Sequence, residues 1–240
     1  MQAIIMAGGL GVRLRPVTDT IPKALVRVKD RPFLERIFDM LIGAGIDEFI
    51  TIVGYKKEVI EDHFGPEYKG VKISYVVQKE QKGTAHAVSL AESLIKGDFL
   101  IVNADVLTSS ENVRRLVKMD EFSSADGILM AKKVVDPWRY GVLMTSGKKI
   151  VDIIEKPKIE DEPGNLVNAG IYRFSKEFFD SINETKLSVR NEYELVESIR
   201  RYIAKGKVVE YTLAEGAFVH ITDFDDLREA NTMPDPMFPK

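Results

Sequence analysis

The chain has 240 residues, with 34 Lys and Arg against 37 Asp and Glu, three His and no Cys. The absence of Cys excludes disulfides, thiolate nucleophiles, cysteine–zinc sites and iron–sulfur clusters. A formal net charge of −3 gives no basic field for nucleic acid, and no apolar run reaches the roughly 18 residues of a membrane span. The first residues lack the basic region of a signal peptide. We therefore expect a cytoplasmic protein with no nucleic-acid or membrane partner.

The first half of the chain alternates short apolar runs with amphipathic stretches. The apolar runs predict strands at 3–6, 49–53, 71–77 and 99–102, and helical spacing predicts helices at 33–42, 57–64 and 84–95. Strands that alternate with helices at this pitch imply βαβ units. The fold class predicted here is α/β, with a Rossmann-like, mixed but mostly parallel sheet that carries helices on both faces.

The second half contains more strand-like runs and fewer helices. Strands are predicted at 127–132, 142–144, 149–154, 166–174, 208–213 and 217–221, and helices at 193–203 and 223–230. This pattern indicates a small antiparallel insertion in the α/β core. No linker separates the halves, so we predict one domain over residues 1–230 and a proline-rich tail over 231–240.

A glycine-rich turn follows the first predicted strand. Gly8, Gly9 and Gly11 allow backbone N–H groups to approach a phosphate chain closely, and Arg13 adds a permanently charged donor. The spacing is neither Gly-x-Gly-x-x-Gly nor a Walker A loop, and a plain tight turn explains the glycines equally well. Lys23 comes ten residues later, behind a proline that stiffens the backbone, and its ammonium could reach the same phosphates.

Asp105 stands just beyond the predicted strand at 99–102. In an open α/β sheet the ligand crevice lies at the carboxyl ends of the strands. A carboxylate is also the hard oxygen ligand that Mg²⁺ prefers. The alternative is that Asp105 caps the element that follows it.

Together these segments resemble the signature of the sugar-1-phosphate nucleotidylyltransferases, the enzymes that make nucleotide sugars. The resemblance covers about residues 1–230 and implies the nucleotide-diphospho-sugar transferase fold. In chain order it is carried by Gly8-Gly9-x-Gly11-x-Arg13-Leu14-x-Pro16-x-Thr18, Pro22-Lys23, Pro32, 78–87, Asn103-Ala104-Asp105, Tyr140-Gly141-Val142, Glu155-Lys156-Pro157, 168–172 and 191–195.

The resemblance implies a role for each matching residue. It makes Arg13, Lys23 and Lys156 catalytic, and it makes Asp105 a ligand of Mg²⁺. The predicted nucleotide contacts are Ala7, Gly8, Gly9, Gly11, Gln78, Gly83 and Thr84, and the predicted sugar contacts are Gly141, Glu155, Asn168 and Tyr172. Without the family context, Glu155 and Lys156 are typical of a surface ion pair, and Asn168 is typical of a turn.

The chemistry of the implied reaction agrees with the composition. A nucleoside triphosphate and a sugar 1-phosphate are both anions, so their reaction requires cationic side chains and a divalent cation. Phosphoryl-type transfer asks little of acid–base residues, so a chain with three His and no Cys can perform it.

Gln78 decides which base is predicted. Its amide offers a donor and an acceptor, which can pair with N3–H and a carbonyl of uracil or thymine. The segment 81–87 is also similar to thymidylyltransferases and acetylglucosamine uridylyltransferases, so dTTP or UTP is favoured. Glu80 lies in the same segment, and a shifted register leaves open a guanylyltransferase acting on mannose or heptose 1-phosphate. His86 is interpreted as a helix residue beside the site and not as a ligand.

The chain departs from the family pattern at its last strand. There the family often carries an Asp that binds a second metal ion, whereas this chain has His220. Imidazole is a poor ligand for Mg²⁺ but suits Mn²⁺, Co²⁺ or Zn²⁺ better. Three interpretations stay open: His220 binds such a metal, Asp223 moves in as the ligand, or Asp105 and the phosphates hold Mg²⁺ alone.

Other functions are weighed against the enzyme. The same fold could serve as a non-catalytic nucleotide- or sugar-binding homologue, and the altered metal position would then mark lost catalysis. A dinucleotide-dependent dehydrogenase is disfavoured, because the chain has neither Gly-x-Gly-x-x-Gly nor the acidic residue that should follow it. The sequence names neither the sugar nor the number of subunits, and a homo-oligomer stays open.

Overall fold

The computed structural model of this protein describes residues 1–118, 124–161 and 164–234. The strands are β1 (Gln2–Met6), β2 (Arg27–Val28), β3 (Arg31–Pro32), β4 (Glu48–Val53), β5 (Glu67–Tyr68), β6 (Val71–Val77), β7 (Phe99–Asn103), β8 (Val106–Thr108), β9 (Gly127–Lys133), β10 (Gly141–Ser146), β11 (Lys149–Glu155), β12 (Leu166–Phe174), β13 (Val209–Leu213) and β14 (Phe218–His220). The helices are α1 (Phe33–Gly43), α2 (Lys57–Phe64), α3 (Thr84–Ser89), α4 (Ser110–Lys118), α5 (Phe178–Asn183), α6 (Leu195–Ala204) and α7 (Phe224–Thr232).

Ten of these strands form one sheet, in the order β10-β11-β13-β9-β12-β7-β1-β4-β6-β5. Strands β7, β1, β4 and β6 are parallel, and Ile4 of β1 lies opposite Ile101 of β7 and Ile50 of β4. Strand β12 pairs antiparallel with β7, so the strands of the second half extend the same sheet. Because β10 pairs with both β11 and β12, the strands β10, β11, β13, β9 and β12 close into a ring. The predicted α/β class, with a parallel core and an antiparallel addition, is confirmed.

The apolar core has one layer on each face of the sheet. Side chains alternate along a strand, so Ala3 and Ile5 of β1 enter the layer that contains α1, α2 and α4. Ile4 enters the opposite layer, with α3, α5 and α6. A strand covered on both faces needs a continuous apolar run, and this is why β1 and β7 were predictable from short runs of apolar residues.

Two predicted helices differ from the observed ones at ends where the structure shows the cause. The helix predicted over 84–95 ends at Ser89, and a separate 3₁₀ turn covers Glu92–Leu94. The side chain of Gln2 explains the end of that turn, because it donates to the carbonyl of Leu94 and accepts from the N–H of Lys96. The helix predicted from residue 193 begins at Leu195.

The late start of α6 has a clear cause in the backbone of Tyr193. Its N–H donates to the carbonyl of Lys82 and its carbonyl accepts from the N–H of Ala85, each at 2.8 Å. Residue 193 is therefore used in a short backbone contact that ties the segment 82–85 to the start of α6. Its groups are not available for the first turn of the helix.

The final helix begins as a capping box. The carboxylate of Asp223 accepts from the N–H of Asp226, and the Asp226 carboxylate accepts from the N–H of Asp223. Of the predicted tail 231–240, residues 231 and 232 end α7, and residues 235–240 lie outside the described part of the chain. In residues 1–118, 124–161 and 164–234, no helix has the length and hydropathy needed to cross a membrane.

The packing around Gly127 gives a stability prediction. A Cβ at Gly127 would overlap the edge of the Phe174 ring, which is stacked on Phe178 with ring centroids 3.7 Å apart. Both rings are buried, so neither has space to move. We expect Gly127→Ala to lower the free energy of unfolding by about 2 kcal/mol, measured by urea denaturation.

Gly97→Ala is the matched control, because an added Cβ there meets no heavy atom within 4 Å. We expect it to change the free energy of unfolding by less than about 0.5 kcal/mol. Equal urea midpoints for the two variants would contradict the packing argument.

Candidate active site

Two adjoining cavities open at the carboxyl ends of the parallel strands. Their volumes are about 480 Å³ and 160 Å³. Both are lined by Met6, the last residue of β1, by Asn103, the last residue of β7, and by Thr84 and Asp105. This is the edge of an open α/β sheet where ligands are expected.

Most of the residues predicted for the site line these cavities. Four of the predicted residues, Gly8, Gly11, Gln78 and Gly83, line neither cavity. The larger cavity has Arg13, Thr84, Asp105, Gly141, Glu155, Lys156, Asn168, Tyr172 and His220, and the smaller one has Ala7, Gly9, Lys23, Thr84 and Asp105.

The glycine-rich turn packs directly against the segment that carries Lys23. Gly11 has φ +63°, and a Cβ there would lie 2.9 Å from Cβ of Lys23 and from Cγ2 of Thr18. Glycine is therefore required both by the backbone conformation and by the space. The hydroxyl of Thr18 donates to the carbonyl of Gly11 at 2.8 Å and holds the turn in place. Gly9 and Lys23 consequently share a wall of the smaller cavity.

Asp105 carries the strongest electrostatic feature of the site. Its Oδ2 accepts a hydrogen bond of 2.6 Å from Nζ of Lys23, and its Oδ1 lies 3.7 Å from Nε2 of His220. Burial alone raises the pKa of Asp105, but the charge of Lys23 and the contact with His220 outweigh it and hold this pKa well below the usual range. The side chain is therefore a carboxylate. Strand β8 follows it directly, which excludes a helix-capping role.

Asp105 and His220 have the donor atoms that a divalent cation requires. Oδ1 of Asp105 is buried and has no hydrogen-bond partner within the described residues, and Nε2 of His220 lies 3.7 Å from it. One carboxylate and one imidazole on the same cavity fit a divalent ion of intermediate hardness. In the part of the chain that the structure describes, no three His, Asp or Glu side chains form a metal-binding group.

Asp223 already has other partners. It accepts from Nη2 of Arg139 at 3.2 Å and from the N–H groups of Asp225 and Asp226, each at 3.1 Å. A role as metal ligand would require it to leave these donors. The structure therefore favours His220 over Asp223 among the open interpretations.

Glu155 and Lys156 occupy the opposite end of the larger cavity. Gly141 makes room for the carboxylate, because a Cβ there would lie 2.9 Å from Oε2 of Glu155. Burial raises the pKa of Glu155, although the cations of Arg190 and Lys156 oppose that shift. Nζ of Lys156 lies 3.9 Å from Oε1 of Glu155, so the two do form a loose ion pair. Lys156 has φ +46°, a conformation that non-glycine residues adopt mainly where the surrounding structure imposes it.

Asn168 and Tyr172 project from a bulged part of β12. The ladder with β9 shifts register between these two residues. The amide nitrogen of Asn168 donates to the hydroxyl of Tyr172 at 2.8 Å, and its Oδ1 accepts from the N–H of Gly170 at 3.0 Å. Asn168 is thus a strand residue held in a defined orientation, and it does not form a turn.

Sequence reasoning missed two arginines that line the larger cavity. Arg190 donates to Glu194 at 2.8 Å and to Glu155 at 3.4 Å. Arg139 donates to Asp226 at 3.0 Å and so links the segment before β10 to the start of α7. Arg139 directly precedes the family-like motif at 140–142, and Arg190 directly precedes the one at 191–195. These positions in sequence were the signal by which both arginines could have been predicted.

Comparisons with known proteins agree over nearly the whole chain. Residues 2–234 match the family described as Nucleotidyl transferase. The UTP–glucose-1-phosphate uridylyltransferase AglF of Haloferax volcanii is 37% identical over 235 residues, which cover 96% of this chain and 95% of AglF. The bifunctional protein GlmU of Methanococcus maripaludis is 35% identical over 87% of this chain and 48% of GlmU. The chain thus spans about half the length of that relative.

Solved structures show the same fold. A UDP-glucose pyrophosphorylase complexed with UDP-glucose has a TM-score of 0.86 and 26% identity, with 96% of both chains covered. A candidate glucose-1-phosphate thymidylyltransferase from Bacillus anthracis, in complex with a sucrose, has a TM-score of 0.87 and 28% identity, with 96% of this chain and 94% of that chain covered. The fold and the cavity at the strand ends together define a nucleotide-sugar-forming class of enzyme.

This chain belongs to the nucleotidyl transferase family, and the prediction of a sugar-1-phosphate nucleotidylyltransferase is confirmed as a class of enzyme. Enzymes of this family generally use a divalent metal ion. The roles of the single residues in this chain stay predictions.

Proposed function

We propose that this protein transfers a uridylyl or thymidylyl group from UTP or dTTP to a sugar 1-phosphate. The observation that carries the proposal is the pair of adjoining cavities, which have Asp105 in common. Gly9 and Lys23 line the smaller cavity, and Glu155 and Lys156 line the larger one. Such a site accommodates a triphosphate and a sugar phosphate side by side. The products are the nucleoside diphosphate sugar and pyrophosphate.

In the proposed mechanism, Lys156 positions the sugar phosphate so that one of its oxygens attacks the α-phosphorus in line. The bond between the α-phosphorus and the bridging oxygen breaks, and pyrophosphate leaves with the electron pair. Lys23 stabilises the charge that gathers on the α-phosphoryl oxygens, and Arg13 neutralises the leaving pyrophosphate. Asp105 and His220 would hold a divalent cation, which supplies further neutralisation of phosphate charge.

The choice of base rests on Gln78. Among the residues that the structure describes, its Oε1 has no hydrogen-bond partner, so it is available to a base N–H. Glu80 is 69% exposed and pairs with Lys82 at 2.6 Å. Its carboxylate thus already has a cationic partner and is not held in place by the surrounding structure, which counts against the guanine alternative.

A matrix of nucleoside triphosphates against sugar 1-phosphates, read by pyrophosphate release in Mg²⁺ and in Mn²⁺, tests the proposal. We expect release with UTP or dTTP and with at least one of the glucose, acetylhexosamine, mannose and heptose 1-phosphates. Binding of UTP without pyrophosphate release under any condition would favour the non-catalytic homologue. Release with GTP alone would favour the guanylyltransferase.

The metal preference can be tested at His220. We expect His220→Asp to raise turnover in Mg²⁺ relative to Mn²⁺, on the order of tenfold, because a carboxylate is the harder ligand. The measurement is kcat in each metal for the wild type and the variant. An unchanged metal profile would remove His220 from the metal site and leave Asp105 with the phosphates.

Three further expectations belong to the proposal. They are a single catalytic domain over residues 1–230, a cytoplasmic location, and assembly into a homo-oligomer as an open alternative to a monomer. Light scattering of the purified chain measures the number of subunits directly.

A further inference from the structure

Gln78 is held by two acceptors on one side of its amide. Its Nε2 lies 3.1 Å from the carbonyl oxygen of Gly83 and 3.1 Å from Nδ1 of His86. A carbonyl oxygen can only accept, so the NH₂ group and not the oxygen of Gln78 must face Gly83. The second N–H then points at His86, where Nδ1 is the acceptor.

The same arrangement sets the direction of the amide oxygen. With its nitrogen turned towards Gly83 and His86, Oε1 points towards Gly8, where an added Cβ would lie 3.4 Å from it. The Gln78 residue is only 5% exposed, so its side chain has little room to adopt another rotamer. The acceptor is therefore presented beside the glycine-rich turn before any ligand arrives.

We propose that His86 is a positioning residue that fixes Gln78 with its carbonyl oxygen towards the base. This inference rests on the proposed function, in which Gln78 reads the nucleotide. An acceptor at this point pairs with N3–H of uracil or thymine. Cytosine presents a lone pair at N3, and the fixed carbonyl oxygen of Gln78 repels it, although cytosine and uracil have nearly the same shape. His86 thus contributes to discrimination between UTP and CTP without touching either.

Helix α3 does not depend on the imidazole for its own position. Its first turn is tied to α6 by the N–H of Ala85, which donates to Tyr193, and by the hydroxyl of Thr84, which accepts from the N–H of Leu195. The hydroxyl of Ser89 donates to the backbone carbonyl of His86 and not to its ring. Replacement of the ring therefore removes the contact with Gln78 and leaves the helix anchored.

The experiment compares His86→Leu with His86→Asn. Leucine removes the acceptor, whereas asparagine carries a carbonyl oxygen at the same number of bonds from Cβ as Nδ1. His63→Leu is the matched control, because His63 pairs with Glu35 on α1, away from the cavities. For each variant, KM and kcat are measured with UTP and with CTP, equilibrium binding of both nucleotides is measured without turnover, and the melting temperature is recorded.

We expect His86→Leu to raise KM for UTP about tenfold with kcat nearly unchanged, and to lower the ratio of kcat/KM for UTP over CTP about tenfold. His86→Asn should recover most of both quantities, and His63→Leu should match the wild type. An unchanged KM and UTP-to-CTP ratio in His86→Leu would overturn the inference. So would a His86→Asn variant that is as impaired as His86→Leu while it melts like the wild type.

The two proposals fail in different ways. If the wild type releases no pyrophosphate, the proposed function fails, and equilibrium binding of UTP and CTP still tests the role of His86. If the wild type is active with UTP but His86→Leu binds UTP and CTP in the wild-type ratio, only the inference about His86 is wrong.

Discussion

Replacement of Lys23 by alanine is expected to lower kcat by about 10²–10³-fold. Lys23 lies in the wall of the smaller cavity beside Gly9, and its ammonium donates to Oδ2 of Asp105 at 2.6 Å. Loss of a preorganised donor to a developing oxyanion costs about 3 kcal/mol of transition-state stabilisation. Charge on the α-phosphoryl oxygens should be at least as sensitive to such a loss. The measurement is steady-state pyrophosphate release with UTP and a sugar 1-phosphate.

Two further variants serve as controls for the prediction about Lys23→Ala. Lys148→Ala removes an exposed lysine from the turn between β10 and β11, and we expect it to leave kcat unchanged. Lys23→Arg keeps the charge, but the planar guanidinium must fit where Gly11 already packs on Cβ of Lys23, so we expect only partial recovery. Near-full turnover of Lys23→Ala would contradict the assignment of Lys23 as a catalytic residue.

Replacement of Asp105 by asparagine is expected to lower kcat by about 10³-fold. The variant keeps the shape of the side chain but removes its negative charge. It thereby removes the partner of Lys23 and the carboxylate offered to a divalent cation. Loss of metal-based charge stabilisation amounts to several kcal/mol, and each 1.4 kcal/mol corresponds to about tenfold in rate. Turnover in Mg²⁺ and in Mn²⁺ should both fall.

Binding of Mn²⁺ to the protein in the presence of UTP, followed by electron paramagnetic resonance, provides a readout that does not depend on turnover. We expect Asp105→Asn to weaken this binding and Asp225→Asn to leave it unchanged, since Asp225 is 89% exposed and pairs with Arg228. An Asp105→Asn variant with wild-type Mn²⁺ affinity would remove Asp105 from the metal site.

The predicted strands agree well with the observed ones because their signal is local. The runs at 71–77 and 166–174 have the bounds of β6 and β12, since each is a stretch of apolar or alternating residues between polar segments. Helix α4 was not predicted, because Val113 and Leu116 are its only buried apolar side chains. The short strand β8 was not predicted either. It pairs with β14, more than 100 residues away in sequence, and no local sequence pattern indicates such a pairing.

Residues of the site, like the secondary structure, were predictable where the signal was local in sequence and not where it depended on long-range contacts. Residues within contiguous motifs, such as Glu155 and Asn168, were predicted because their neighbours in sequence carried the resemblance. The contact between Lys23 and Asp105 spans 82 residues, so it becomes visible only once the sheet brings the two segments together. His86 was interpreted as a residue beside the site, and its contact with Gln78 depends on how α3 leaves Gly83.

The antiparallel ladder between β7 and β12 limits how this protein can move. Four successive residue pairs, from Ile171 opposite Val102 to Phe174 opposite Phe99, join the half that carries the glycine-rich turn to the half that carries Glu155. A hinge between these halves would break backbone hydrogen bonds in the middle of a buried sheet. Closure around substrates must therefore come from segments that leave the sheet, while side chains at the strand ends keep their spacing. The spacing between strand-end residues of the two halves, such as Asn103 and Glu155, is accordingly a property of the rigid sheet.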